Sequence, residues 1–407
     1  MKILFFTENF PPETNAAATR VFERAVYWAR WGHEVTVITC APNFPHGQVF
    51  DGYRNAWHQV EDLSGIRVVR VKTFIAANQG VVRRSLDFLS FLVTGCVAGL
   101  FQPKPDVVVS TSPQFFAAVA GWAVGLCRRR PFVFELGDLW PNSISAVGAM
   151  KKGVLLSLME KFELFMYRRS AAVAALTNAF KDNLVARGIN GEKIHVVLNG
   201  VDLPRYAPRP RDQALAEEWG IGGKFVIGYL GTHGMAHGLI NVLDAAEKLA
   251  DEPDVLFLFV GAGAEREMLK TEAAKRNLTN MQFRESQPKE RMPEIWSLCN
   301  VALIHLKDSP AFADVLPSKI FEAMGMGLPV LLVSPEGEAS RLLGKRGAGP
   351  WAPAGDPEAL AGVVRSLRHD DATRQAYAEA SLNAAPLHSR ETQAREMLAV
   401  FDRVLDR

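Results

Sequence analysis

Short apolar runs alternate with longer amphipathic ones along nearly the whole chain, and this pattern limits the fold more than any other feature. In the first half the strand-like runs are residues 2–7, 34–40, 66–72, 106–110, 131–136, 171–176 and 194–198. Most are rich in Val, Ile or Phe and apolar on both faces, as strands covered on two sides should be. Between them, residues 16–31 place Val21, Ala25, Trp28 and Ala29 on one helical stripe, and Gly32 is a stop signal. The second half repeats the pattern, with strands at 225–230, 255–260, 281–284, 301–305 and 329–333. Its helices read at about 237–250, 264–276, 288–298, 318–326, 356–368 and 389–405. Such alternation predicts an α/β chain of two doubly wound, Rossmann-like domains with parallel sheets. Residues 202–210, with three prolines, mark the break: one domain over 1–200 and a second over 201–385. Ligands of open α/β sheets sit at the carboxyl ends of the strands, so the site is expected in a cleft between the two sheets.

The length of 407 residues suits two domains, each large enough to bury a core. The balance of 48% hydrophobic and 22% charged residues excludes disordered and coiled-coil chains. Charge is unevenly divided. Residues 1–200 hold 22 basic and 15 acidic side chains, and residues 201–407 hold 24 and 29. Cys40, Cys96, Cys127 and Cys299 are far apart, so no zinc knuckle or C-x-x-C motif is available, and a reducing compartment is expected. The N-terminus turns polar at Thr7-Glu8-Asn9, too early for a signal peptide, which predicts a cytoplasmic protein.

Five segments could carry chemistry, four of them directly after a predicted strand. Gly231-Thr232-His233-Gly234-Met235-Ala236-His237-Gly238 joins a strand to a helix, where glycines let a phosphate approach backbone N–H groups. The same residues also suit a plain tight turn. Gly261-Ala262-Gly263 begins like a dinucleotide fingerprint, but Arg266 replaces the third glycine, so a close-packed turn is at least as good a reading. In Asp314–Glu322, Ser318 reads as an N-cap and Lys319 sits in the first turn, unfavourably for the helix dipole unless an anion binds there. Glu322 could accept two hydrogen bonds from a ribose diol or close a capping box with Ser318. Asp138, after the strand ending at Leu136, is a base, a sugar-orienting group or a turn cap. Asn9–Arg20 lies right after the first strand and before a helix, and its small residues after Asn15 at the helix start are compatible with an anionic acceptor.

Together these motifs resemble glycosyltransferase family 4, retaining enzymes of two Rossmann domains with the GT-B fold, and the resemblance spans essentially the whole chain. It rests on Pro11-Pro12 after the opening strand, the junction Val197-Leu198-Asn199-Gly200-Val201-Asp202, the Gly231–Gly238 loop, Gly261-Ala262-Gly263 and the acidic-x7-Glu helix, in family order. Asp138-Leu139-Trp140-Pro141 and Pro317-Ser318-Lys319-Ile320-Phe321-Glu322 resemble most the bacterial branch that builds O-antigen and capsule repeats, which includes N-acetyl-fucosamine transferases. The resemblance implies a UDP-sugar donor held by Gly231, Thr232, His237, Gly263, Ser318, Lys319 and Glu322, with Ser286 a candidate for reading the base. It implies catalytic roles for Asp138 and Asp314, and an acceptor side around Asn15 and Glu135. It also implies that the final helix, within 386–407, crosses back to the first domain. No cofactor is expected beyond the UDP-sugar co-substrate. No Asp-x-Asp motif occurs, so no catalytic metal is expected.

Departures from the family pattern stand at Thr232 and His237, where members commonly carry Arg and Lys. Ala16-Ala17-Ala18 replaces paired glycines, and Ser110-Thr111-Ser112-Pro113-Gln114 lacks the family's histidine. Residues 88–101 are uncharged and mostly apolar, follow Arg83-Arg84, and are too short to span a bilayer. They could lie at the inner face of a bacterial plasma membrane, with the 86–101 helix beside a polyprenyl-diphosphate-linked saccharide acceptor, or be a buried core helix. No nucleic-acid partner is expected. The rival enzyme readings are a nucleotide-sugar 2-epimerase of similar fold and an NAD-dependent reductase. A non-enzymatic rival is a degenerate sugar-nucleotide-binding protein.

Overall fold

The computed structural model describes residues 1–44, 46–75, 81–112, 114–139 and 153–406, without the side chains at 81, 82, 84 and 155. The chain divides into two units, Met1–Asn199 with Arg390–Arg407, and Gly200–Ser389.

The first unit holds an eight-stranded sheet in the order β3-β4-β2-β1-β5-β6-β7-β8. Its strands are β1 (Lys2–Phe6), β2 (Glu34–Cys40), β3 (His58–Leu63), β4 (Ile66–Val71), β5 (Val107–Thr111), β6 (Phe132–Leu136), β7 (Ala172–Ala175) and β8 (Ile194–Val196). All pairings are parallel except β3 with β4. Every residue of β5, β6 and β7 is buried, because helices cover both faces of the sheet. One face packs Phe6, Phe91, Phe115 and Phe134, and the other packs Phe5, Trp28, Met397 and Phe401. The sequence pattern misses β3. Its polar residues alternate between exposed and half-buried at the sheet edge, so it carries no apolar run. The two-residue turn that pins it has Ser64 at φ 58° and Gly65 at φ 82°, a hairpin geometry glycine favours.

The second unit holds a six-stranded, wholly parallel sheet in the order β11-β10-β9-β12-β13-β14. Its strands are β9 (Phe225–Leu230), β10 (Val255–Val260), β11 (Met281–Arg284), β12 (Val301–His305), β13 (Val330–Ser334) and β14 (Trp351–Pro353). The expected helices form at Ile240–Lys248, Arg266–Lys275, Met292–Ser297, Lys319–Gly325 and Pro357–His369. Three further helices form at Gln213–Glu218, Glu338–Arg346 and Asp371–Ala384; the second is short and buries Ala339 and Leu343 beside Glu338, and the third buries just Ser381 and Ala384.

The final helix, Arg390–Leu405, belongs to the first unit. Trp28 Nε1 donates to the Ala394 carbonyl at 3.0 Å, and Arg390 pairs with Glu23 at 2.7 Å. The helix starts later than 386 because Ala385–His388 form a separate 3-10 turn that stays with the second unit. The expected 86–101 helix runs instead from Val81 to Leu100. It is neither wholly buried nor polar on its outer face: Phe91, Gly95 and Ala98 face the core, while Leu89, Val93 and Val97 are exposed.

Candidate functional site

In the second unit, the carboxyl ends of β9 and β10 carry the two glycine turns. Gly231 has φ 145°, Gly261 φ 152° and Gly263 φ 157°, a region L side chains rarely adopt. A methyl group at Gly261 would strike the Gly231 carbonyl, and one at Gly263 would strike the His233 backbone. His233 N donates to Ala262 O at 2.9 Å, and Glu265 N donates to His233 O at 3.0 Å. Gly263, expected among the donor contacts, packs the side on which a Cβ would lie against the His233 backbone, which leaves its N–H as the group it could offer a ligand.

Gly231 has a different neighbour. The Lys319 side chain lies across it, where a methyl group would collide with Cε and Nζ. The ammonium sits 4.9 Å from the centre of the Tyr229 ring, a cation–π contact. Burial pushes the Lys319 pKa down to about 8, and Glu322, one turn along, opposes that fall. Tyr229 is buried, and its hydroxyl donates to Thr232 O at 2.7 Å, which ties the loop to its strand. The Thr232 side chain is exposed.

Two histidines, His233 and His237, feel this cation, and a third, His305, packs against His237. His305 Nδ1 lies 2.6 Å from His237 O, and His237 Nδ1 lies 3.2 Å from His305 O. Asn241 Nδ2 is 3.0 Å from His305 Nε2. His233 is fully buried among Tyr229, Phe259 and Phe283, and neither ring nitrogen has a hydrogen-bond partner among the described residues. Burial first, and the Lys319 charge second, push the pKa values of His233 and His237 down to about 4.

Ser318 stands at the N-cap position of Lys319–Gly325, yet its side chain makes no capping bond. The expected cap, and with it a capping box to Glu322, is corrected: the backbone at Ser318 is already helical, which turns the hydroxyl from the next N–H groups. Asp314 follows the 3-10 turn Pro310–Phe312, half-buried, and its neighbour Ala313 accepts a 2.7 Å bond from Glu338 N. Ser286 is exposed beyond β11, next to Glu285, which pairs with Arg266 at 2.7 Å.

In the first unit, Glu135 is fully buried at the end of β6. Arg24 donates to both its oxygens, at 2.9 and 2.7 Å, and Arg20 donates to Oε1 at 3.0 Å. Both carboxylate oxygens are thus engaged by protein. Glu135, expected on the acceptor side, is instead fully buried and paired with two arginines. Arg20 and Arg24 lie one turn apart on the helix Ala16–Arg30, so both reach the same sheet end. Arg20 also donates to Thr111 Oγ1 at 2.9 Å and lies against Gly137. Ser112 Oγ accepts from the backbone N–H of Gly137 at 2.8 Å and of Asp138 at 3.2 Å. The turn presenting half-buried Asp138 is therefore held from two sides. Residues 140–152, including the Trp140-Pro141 pair, lie outside the described residues. Asn15 caps its helix by accepting from Ala18 N at 3.0 Å.

Sequence reasoning picks out the segment 9–20 but misses the polar cluster that Asn9 and Glu13 form with residues 43, 44 and 114 at the ends of β1, β2 and β5. Asn9 Nδ2 donates to Glu13 Oε2 at 2.7 Å, and Gln114 donates to Asn9 Oδ1. Glu13 Oε1 accepts from Asn43 N and Phe44 N at 2.8 and 2.9 Å. The available signal was a run of polar residues in a proline-rich loop directly after a strand. Among the described residues, no group of three or more His, Cys, Asp and Glu is placed to hold a metal ion.

Residues 15–200 match the family model described as a glycosyl transferase 4-like domain, and residues 212–383 match glycosyl transferases group 1. Two Rossmann-like units with these domains define a glycosyltransferase of the GT-B type. The chain belongs to glycosyltransferase family 4. It is 28% identical to WcaI of Escherichia coli (strain K12), assigned as a colanic acid biosynthesis glycosyl transferase, over 80% of this chain and 82% of that one. It is 25% identical to a GDP-mannose-dependent alpha-mannosyltransferase of Mycobacterium tuberculosis, covering 100% and 98% of the two chains. Its fold is similar to that of Anabaena Alr3699/HepE in complex with UDP, with TM-score 0.73, 18% identity, and 99% and 100% of the chains covered. Sucrose-phosphate synthase from Thermosynechococcus elongatus gives TM-score 0.81 at 15% identity over 100% and 99%.

Proposed function

We propose that the chain transfers a sugar from a UDP-linked donor to a lipid-linked saccharide in surface polysaccharide assembly, with retention and without a metal. The observation that carries the donor assignment is Lys319, laid across Gly231 at the end of β9 with its charge against Tyr229. A half-buried ammonium beside a glycine-lined backbone suits a diphosphate that leaves with negative charge. Gly231, Thr232 and Ser318 complete the phosphate cradle, Glu322 takes the ribose, and Ser286 faces the base. Asp314 orients the donor sugar, and Asp138 and Asn15 face the acceptor. The sugar is N-acetylated or deoxy, by resemblance to the O-antigen branch.

Thermal-shift measurements with UDP, GDP, ADP, dTDP and NAD test this reading, because stabilisation grows with the logarithm of ligand over dissociation constant. UDP is expected to give the largest shift. A larger GDP shift would reassign the base, as the mannosyltransferase relative suggests, and a response to NAD alone would end the transferase reading. Glu322→Ala is expected to weaken UDP binding by about 1.5–3 kcal/mol, the worth of hydrogen bonds to a charged group.

The protein is placed at the cytoplasmic face of the membrane, with its acceptor a polyprenyl-diphosphate-linked saccharide. Support comes from the exposed apolar stripe Leu86, Leu89, Val93, Val97 and Leu100, with Trp57 and Phe101 beside it. Arg83 is exposed at one end of this helix; the Arg84 side chain lies outside the described residues. Among the described residues no helix is long and apolar enough to cross a membrane. Vesicles containing anionic lipid are expected to float the wild type and to lose the Val93→Asp/Val97→Asp variant. Equal flotation of the two removes this face from the account.

A further inference from the structure

We infer that His237 contacts the donor diphosphate as an imidazolium, so that nucleotide-sugar binding takes up a proton from solution. The inference rests on the donor-site reading above.

Hydrogen-bond geometry sets the tautomers. A carbonyl oxygen can only accept, so His237 Nδ1, 3.2 Å from His305 O, carries a hydrogen. In the neutral ring Nε2 is then a bare acceptor, which repels a phosphate oxygen; protonated, it becomes a charge-assisted donor. The other two histidines cannot take this role. His305 Nδ1 donates to His237 O and its Nε2 accepts from Asn241, so both its edges are used in holding His237. His233 is sealed among aromatic rings. His237 is half-buried, and its Nε2 has no partner among the described residues.

The groups facing His237 are Tyr229 from β9, His305 from β12, Lys319 from the helix Lys319–Gly325, and His233 from its own loop. Burial comes first and Lys319 next in holding its pKa down to about 4, so the ring is neutral near pH 7 in the free protein. A diphosphate beside Lys319 screens that cation and adds negative charge, and both effects raise the His237 pKa. The bound pKa then exceeds the free one, a proton is taken up between the two, and binding tightens as pH falls. The limit is about tenfold per pH unit where a full proton is taken up. Lys319, down to about 8, takes up its own proton at higher pH and is already charged near pH 6.

Isothermal titration with UDP-glucose and GDP-mannose, in buffers of different ionisation enthalpy, reads the proton directly. These diphosphate diesters do not titrate near pH 6.5, whereas a terminal phosphate does, with a pKa of about 6. The wild type is expected to take up a substantial fraction of a proton at that pH, and His237→Gln is expected to take up none while keeping the uptake near pH 8.5 that belongs to Lys319. His237→Lys, with its ordinary pKa of about 10.4, is expected to bind with little pH dependence from about pH 6 to 7. Binding by the wild type without proton uptake, or uptake unchanged in His237→Gln, overturns the inference and leaves the donor site standing. Should His237→Gln fail to fold, a wild-type Kd that stays flat between about pH 5.5 and 7 overturns the inference equally. Binding of neither ligand overturns the donor-site reading and the inference with it.

Discussion

Glu135→Ala is expected to destabilise the first unit by about 3–5 kcal/mol, because it leaves two guanidinium groups buried without their counter-charge. Arg24 is fully buried and Arg20 nearly so, and Glu135 accepts hydrogen bonds from both. Burial alone would raise the Glu135 pKa; Arg24 and then Arg20 overcome it and pull the carboxyl down to about 2. The folded pKa therefore lies below the ordinary value of 4.5. The stabilisation is fully present above that ordinary value and is lost as pH falls through about 2. Urea unfolding should show the full gap between wild type and variant near neutral pH and a narrowing gap in acid. Glu135→Leu combined with Arg24→Leu should recover much of the loss, since an apolar replacement of the whole pair leaves less charge unmatched. A loss under about 1 kcal/mol at neutral pH would show that the arginines find other partners. Turnover should also fall in the single variant, because Arg20 packs against the turn that presents Asp138.

The same network shows what the sequence could and could not disclose. Fully buried strands such as Val107–Thr111 and Phe132–Leu136 are legible because both faces meet helices, and only apolar runs satisfy both. The edge strands His58–Leu63 and Trp351–Pro353 escape that logic. One is polar and half-exposed, and the other is three residues long and ends on proline. The first helix reads as an apolar stripe through Val21, Ala25 and Trp28, and those residues are buried as expected. Arg20, Glu23 and Arg24 are buried beside them, and local pattern assigns such residues to solvent. Their burial becomes sensible when Glu135 and Arg390 arrive from far along the chain. The second unit behaves alike. Glycines after β9 and β10 are visible as motifs, but their partners are not. Gly261 makes room for the Gly231 backbone, Gly263 for His233, and Gly231 for a lysine from another helix. Spacing within a motif reports local geometry, whereas these contacts are set by how neighbouring strand ends meet.

Lys319→Met should lower kcat by about 10²–10³, the cost of removing one preorganised group at developing charge, while leaving the melting temperature unchanged or higher. The two effects have one cause. In the free protein, burial holds the Lys319 pKa at about 8 against an ordinary 10.5, so keeping the ammonium charged below pH 8 works against folding. Raising the pH from about 8 to 10.5 should therefore relieve that strain in the wild type and leave the variant unaffected. A methionine fills the same volume with no charge to desolvate. Gly231→Ala should reproduce the catalytic loss with the lysine still present, since a methyl group there occupies the path of Cε and Nζ at a φ of 145°. Lys319→Arg should fail to rescue, because a planar guanidinium needs more room than the ammonium lying across Gly231. Activity within threefold of wild type in Lys319→Met would move the diphosphate away from Gly231, while a lowered melting temperature would mark Lys319 as structural. The combination of lost turnover and retained or increased stability separates a group held ready for a ligand from one that holds the fold, because the favourable partner of a functional charge arrives only with the substrate.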